Sequence, residues 1–213
     1  MDFRFDISGK FKKMANWHVS QTVKSEDAYL KMSISEYELF KNFVGSPKKI
    51  LELGCGLGRM SVFLNSKLQD PSIHFILADT TRIVNNRPRF GWDHGEDFYN
   101  DLSLTKEFAE NHGLFNFDIF DVKKQNIKVL KDIDFIISFL AIGFHSQIEY
   151  YIDDLMQIST DNCVMVFGVR KNKYSEDSFK EYFNEGYLFE NDFTIDGKET
   201  KENILILKDK KVR

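Results

Sequence analysis

The chain has 213 residues, 42% of them hydrophobic and 29% charged, with a net charge of −4 and a pI of about 5.8. That length suits one domain with a sizeable core, and the acidic balance argues against a broad nucleic-acid surface, which needs a basic stripe. No stretch approaches the roughly 18 apolar residues of a membrane span, Met1-Asp2-Phe3-Arg4 lacks the apolar part of a secretory signal, and Cys55 and Cys163 sit on separate elements, so a reduced, cytoplasmic, soluble protein is expected.

Residues 1–45 are expected to form a helical arm or lid. Residues 1–34 are weakly periodic and carry Trp17, His18 and Tyr29. They read either as short helices over a ligand mouth or as a cap on a sheet. Ser35 and Glu38 form a capping box, with Ile34 and Leu39 as its hydrophobic staple, so a helix is expected from Ser35. Gly45 ends it and Pro47 prevents continuation.

Lys49 to Leu53 is an apolar run that ends at Glu52 and Leu53, and Gly54, Gly56 and Gly58 follow at every second position. A helical pattern begins at once, over about 59–68, with Met60, Phe63, Leu64 and Leu68 on its inner face. A buried strand that turns tightly into a helix brings bare backbone and free N–H groups up to a ligand. The dinucleotide fingerprint fails because Arg59 stands where its third glycine belongs, and no phosphate loop with Lys-Ser/Thr is present. A second strand, about 74–78, ends in Asp79, 21 residues beyond Gly58. That is close to the roughly 20-residue spacing that sets an acid beside a ribose.

Residues 80–102 are a long insertion before a helix at about 104–112. Loops of this length in compact domains are usually functional or disordered, and Phe90, Trp92, Phe98 and Tyr99 weigh against disorder. A third strand, Phe117 to Phe120, ends in Asp121, and a fourth runs from Asp134 to Leu140. Ile148, Tyr151, Ile152, Leu155 and Met156 repeat at helical spacing. A fifth strand over 162–168, a helix near 175–184, and two strands at about 188–194 and 203–208, turning around Asp196-Gly197, complete the chain.

Glu52-x-Gly54-x-Gly56-x-Gly58, followed by strands ending in Asp79 and Asp121 and by the fourth strand Asp134 to Leu140, resembles the class I S-adenosylmethionine-dependent methyltransferases over roughly residues 48–208. The resemblance implies one α/β domain, doubly wound, with a mainly parallel seven-stranded sheet and a C-terminal antiparallel strand pair. It implies that Glu52, Gly54, Cys55, Gly56 and Gly58 cradle the methionine portion of S-adenosylmethionine. Asp79 with Thr80 would then take the ribose, Asp121 with Val122 the adenine, and Ser138 with Phe139 would lie beside the reacting methyl. Ser138-Phe139-Leu140-Ala141 replaces the Asn/Asp-Pro-Pro-Tyr/Phe of amino-group methyltransferases, which points away from nucleobase acceptors. No carboxylate set resembles the magnesium site of catechol-type enzymes, so no metal is expected.

The acceptor is expected to be a small molecule, first of all an oxygen of a sugar, nucleotide-sugar or surface-polysaccharide precursor. The insertion resembles that of bacterial sugar O-methyltransferases. Arg82, Arg87 and Arg89, with Trp92, Tyr99 and His18, are the candidate acceptor contacts. The arginines read as an oxyanion grip for an anionic acceptor or as ordinary surface charge. His145, just past the fourth strand, is the first candidate base, and His94 beside Asp93 the rival. A lipid, a natural product or a protein side chain is the alternative acceptor. A cofactor-binding partner without turnover is the alternative from another class.

Overall fold

The structure, a computed structural model, describes residues 3–18, 26–83, 100–195, 198–199 and 202–211. Helices α1 (Lys10–His18) and α2 (Glu26–Phe40) come first, and a single 3-10 turn, Lys41–Phe43, follows. The chain then alternates through β1 (Lys49–Leu53), α3 (Arg59–Leu68), β2 (His74–Asp79), α4 (Leu102–Asn111), β3 (Phe117–Asp121), β4 (Ile133–Ser138), α5 (Ile152–Ile158) and β5 (Ser159–Arg170). Strand β6 (Phe183–Glu190), the short pair β7 (Thr194–Ile195) and β8 (Lys198–Glu199), and β9 (Glu202–Lys210) complete it.

Seven strands form one sheet in the order β3-β2-β1-β4-β5-β9-β6. The first five are parallel, and β9 runs antiparallel to both β5 and β6. The β1–β4 segments are near-continuous apolar runs because the sheet is covered on both faces. Along β1 the side chains alternate, Ile50 into one core and Leu51 and Leu53 into the other. The first core takes Phe5, Met14 and Tyr29, with Phe63 of α3 and Phe108 of α4. The second takes Ile152 and Leu155 of α5, with Phe179 and Phe183. The register pairs Leu53 with Ala78 and Asp79 with Asp121, so the carboxyl ends of these strands share one edge of the sheet. Open α/β sheets bind ligands at that edge.

Two expectations are corrected. The helix expected from Ser35 starts at Glu26, and Ser35 sits inside it, with its hydroxyl donating to Asn191 Oδ1 at 2.9 Å. The early turns hide their period because the buried stripe of Ala28, Tyr29, Met32 and Phe40 also carries the polar Ser33 and Glu36. The helix expected near 175–184 is a series of turns closed by short-range bonds such as Lys180 N–H to the Asp177 carbonyl and Tyr182 N–H to that of Phe179. Phe183 already pairs with Lys210 on β9, which draws β6 forward. Gly186 lets β6 pass the turns, because a Cβ there would lie 2.1 Å from the Glu176 carbonyl oxygen. The turn around Asp196-Gly197 lies outside the described residues, as does the tip of the insertion.

Candidate functional site

The loop from β1 to α3 is built for close approach. Gly54, Gly56 and Gly58 all have positive φ, at 62°, 56° and 77°. At Gly54 the need is packing, since a Cβ would lie 2.3 Å from that of Ala141 in the loop after β4. Gly58 precedes α3 with its N–H donating to the Cys55 carbonyl at 2.7 Å. Cys55 is buried, and burial holds its thiol well above the usual range, so it is a packing residue rather than a nucleophile.

Asp79, at the tip of β2, faces this loop. Its Oδ2 accepts the Gly56 N–H at 2.9 Å and its Oδ1 accepts the Thr80 N–H at 2.7 Å. Burial pushes its pKa up to about 6 against those two bonds. Two N–H donors leave about half the acceptor capacity of a carboxylate open. Thr80 Oγ1 is buried and has no hydrogen-bond partner among the described residues. Asp121 stands beside Asp79 on β3. Burial raises the Asp121 carboxyl, but the Lys124 ammonium at 3.1 Å and the Lys123 amide outweigh it, and the net shift is downward. Val122 is exposed and donates its N–H to the Asp79 carbonyl at 2.9 Å.

Glu52 turns the other way. Its Oε2 accepts the Ser61 N–H at 2.9 Å, so it caps the amide end of α3. Burial pushes it up to about 7. Ser138 is likewise committed to the scaffold, its hydroxyl donating to the Leu53 carbonyl and accepting the Ile142 N–H, both at 3.0 Å. Phe139 stacks on Phe40 of α2 with centroids 5.7 Å apart.

Past β4 the chain folds tightly about the Ala141 carbonyl, which accepts N–H groups from Phe144, His145 and Ser146 at 3.2, 2.7 and 3.3 Å. His145 is partly buried, edge-on to Phe144 at 5.0 Å, with Nδ1 buried. Arg82 forms a two-stranded bridge with Asn100, N–H to carbonyl at 2.8 and 2.9 Å. That bridge closes the neck of the insertion directly after Asp79 and Thr80. Arg87, Arg89, Trp92, His94 and Tyr99 lie outside the described residues. His18 ends α1 and its side chain is likewise outside them.

The sequence matches no protein-family model and no curated protein. Solved structures do resemble it. The O-methyltransferase TomG of Streptomyces achromogenes, involved in tomaymycin synthesis and solved with S-adenosylmethionine, aligns at 13% identity and a TM-score of 0.51, over 92% of this chain and 88% of that one. An S-adenosylmethionine-dependent O-methyltransferase of Thermotoga maritima aligns at 11% and 0.56, over 94% and 72%. The precorrin-6y C5,15-methyltransferase of Geobacter metallireducens aligns at 9% and 0.51, over 89% and 90%. The fold is that of the class I methyltransferases.

Within that fold the site rests on supports that the sequence motifs do not mark. Arg59, the residue that breaks the dinucleotide fingerprint, is buried, bonds Ser33 and Glu36 of α2 at 2.8 and 2.9 Å, and lies over the Tyr29 ring. Thr105 of α4 donates to the Gly56 carbonyl at 2.5 Å. Glu202 of β9 is buried, with Oε1 accepting the Leu140 N–H at 3.2 Å. The signal for Glu202 is an acid heading the apolar run Asn203-Ile204-Leu205-Ile206-Leu207.

Proposed function

We propose that the chain transfers a methyl group from S-adenosylmethionine to a small acceptor, with an oxygen of a sugar or nucleotide-sugar as the first choice. The observation that carries this reading is Asp79: a buried strand-end carboxylate already bonded to the Gly56 amide, with acceptor capacity left over and Asp121 beside it. The donor set fits the cofactor. Its ribose offers two hydroxyl donors, its adenine an amino group, and the glycine loop admits a backbone-tight ligand. In this reading Asp79 and Thr80 hold the ribose, Asp121 and Val122 the adenine, and Gly54, Cys55, Gly56 and Gly58 the methionine part. Glu52, Ser138 and Phe139 shape the site from behind through α3, β1 and α2.

When bound, the cofactor supplies an electrophilic methyl on a sulfonium. The protein's part is to orient the acceptor and take its proton. His145 is the proposed base. It stands in the turn about the Ala141 carbonyl just past β4, at the carboxyl end of the parallel strands. Arg82, Arg87 and Arg89, with Trp92, Tyr99 and His18, are the proposed acceptor contacts, because the Arg82–Asn100 bridge roots the insertion beside Asp79. His94 is the second candidate base. Among the described residues no helix is long and apolar enough to cross a membrane, and a cytoplasmic setting belongs to the same proposal.

Calorimetry tests the reading. S-adenosylmethionine and S-adenosylhomocysteine bind the wild type, and G56R abolishes both while keeping the circular dichroism spectrum. Tight binding of NAD instead, or unchanged affinity in G56R, overturns it.

A further inference from the structure

Glu202 and Arg170 are cross-strand partners on β9 and β5. Both reach the loop that carries His145, from opposite ends. Glu202 Oε1 accepts the Leu140 N–H at 3.2 Å, where Leu140 holds a positive φ of 53°. Arg170 donates from Nε to the Phe144 carbonyl and from its backbone N–H to the Gly143 carbonyl at 3.2 Å, and its guanidinium lies over the Phe144 ring. Leu140 pays the strain of a left-handed conformation and keeps it only because its surroundings over-determine it.

The path of Glu202 is built into the sheet. Its side chain crosses β5 at Gly168, where a Cβ would lie 1.7 Å from Glu202 Oε1. No other residue at 168 leaves that path open. Beyond Leu140, the carboxyl of Glu202 lies against that of Glu36 on α2. Two carboxyls in such contact hold one proton between them. Arg59 of α3 pairs with Glu36 at 2.7 Å, so Glu36 is the anion and Glu202 the acid. Arg59 faces the pair, with Tyr29 and Glu52 beside it, whereas Arg170, the cross-strand neighbour of Glu202, turns its guanidinium to Phe144. Burial, and then the charge of Glu36, favour the neutral form of Glu202.

We infer that Glu202 is a positioning residue: it bridges Glu36 and the Leu140 amide, and so ties α2 to the loop that presents His145. The clamp is a property of the fold, and its bearing on methyl transfer rests on the function proposed above. One consequence is asymmetric. Glutamine can replace the neutral acid, accepting from Leu140 and donating to Glu36, whereas alanine cannot. Another is a pH response. As pH rises and the shared proton leaves, two adjoining anions repel and the loop loosens.

Amide hydrogen exchange of the protein alone reads this without an acceptor. After division by intrinsic rates, E202A exchanges at least about tenfold faster than wild type over residues 140–146, while β1 and β2 stay protected. E202Q stays within about threefold of wild type. Wild-type protection in this loop falls as pH rises, and in E202Q it does not. If E202A fails to fold, G168A takes its place, since the added methyl displaces the Glu202 side chain and loosens the same residues. Wild-type protection in E202A or G168A, or E202Q as loose as E202A, overturns the clamp. Calorimetry with S-adenosylhomocysteine on the same samples separates the two claims. A wild type that binds none defeats the proposed function, and the exchange pattern still decides the clamp.

Discussion

Asp79 and Gly56 are joined by a 2.9 Å hydrogen bond from the glycine N–H to the aspartate Oδ2. The acid that is proposed to hold a ribose therefore also fixes the loop proposed to hold the methionine part, so one residue orders both halves of a cofactor site.

D79A is expected to weaken S-adenosylhomocysteine binding by about 1–3 kcal/mol, since the charged hydrogen bonds to two hydroxyls are lost. Wild-type affinity is expected to rise as pH passes through about 6, where the Asp79 carboxyl ionises. Calorimetry at pH 5 and pH 7.5 measures both, and a pH-independent affinity in wild type contradicts the assignment.

Gly54 and Gly56 separate packing from binding. G54A is expected to destabilise the fold by about 2–4 kcal/mol, from a left-handed residue plus the clash with Ala141. A141G in the same chain recovers part of it. G56R, at a φ of 56°, is expected to cost about 1–2 kcal/mol of left-handed strain and to remove cofactor binding. Equal stability losses at the two glycines would merge the roles.

Burial raises Glu52 to about 7 and Asp79 to about 6. The folded state therefore binds these protons more tightly than the unfolded chain does. Their contribution is complete below about pH 4 and is lost as pH rises through about 6 and 7, by up to about 3 kcal/mol each. Urea unfolding at pH 5 and pH 8 is expected to show the fall, and E52Q to narrow it. A fall of the same size in E52Q assigns it to other groups.

Arg59 and Glu36 form a buried ion pair. R59M alone is expected to cost about 3–5 kcal/mol by stranding the Glu36 charge, and R59M/E36M to recover most of it. A double-mutant cycle from denaturant midpoints gives the coupling. Additive losses contradict the pairing.

H145A is expected to reduce turnover by about 10²- to 10⁴-fold with cofactor affinity nearly unchanged. R82A is expected to raise the acceptor's Michaelis constant more than the cofactor's. Near-normal turnover in H145A makes that histidine structural and moves the test to His94 and His18.

Much of the fold was legible because parallel strands buried on both faces leave plain apolar runs. Lys49–Leu53, His74–Asp79 and Phe117–Asp121 fall where their runs and terminal acids place them. So does α3, which begins at Arg59 directly after the glycine loop. The errors came where tertiary partners replace local rules. Ser33 and Glu36 break the apolar stripe of α2 because their partner, Arg59, lies on another helix. The stretch before β6 has helix-compatible residues, but pairing with β9 takes Phe183 into a strand. In the site, the glycine loop and strand-end acids were marked by spacing. The supports at Thr105, Arg59 and Glu202 are long-range contacts, which single-chain spacing does not encode.

The bridge between Arg82 and Asn100 draws the two ends of the intervening segment to one point beside Asp79. Chain added or removed there enters and leaves through the same gate, so the sheet does not register its length. Doubling such a segment adds only about 0.6 kcal/mol of closure entropy. Selection can therefore rewrite what lies beyond the gate, and with it the proposed acceptor contacts, while the strand ends proposed to face the cofactor stay as they are.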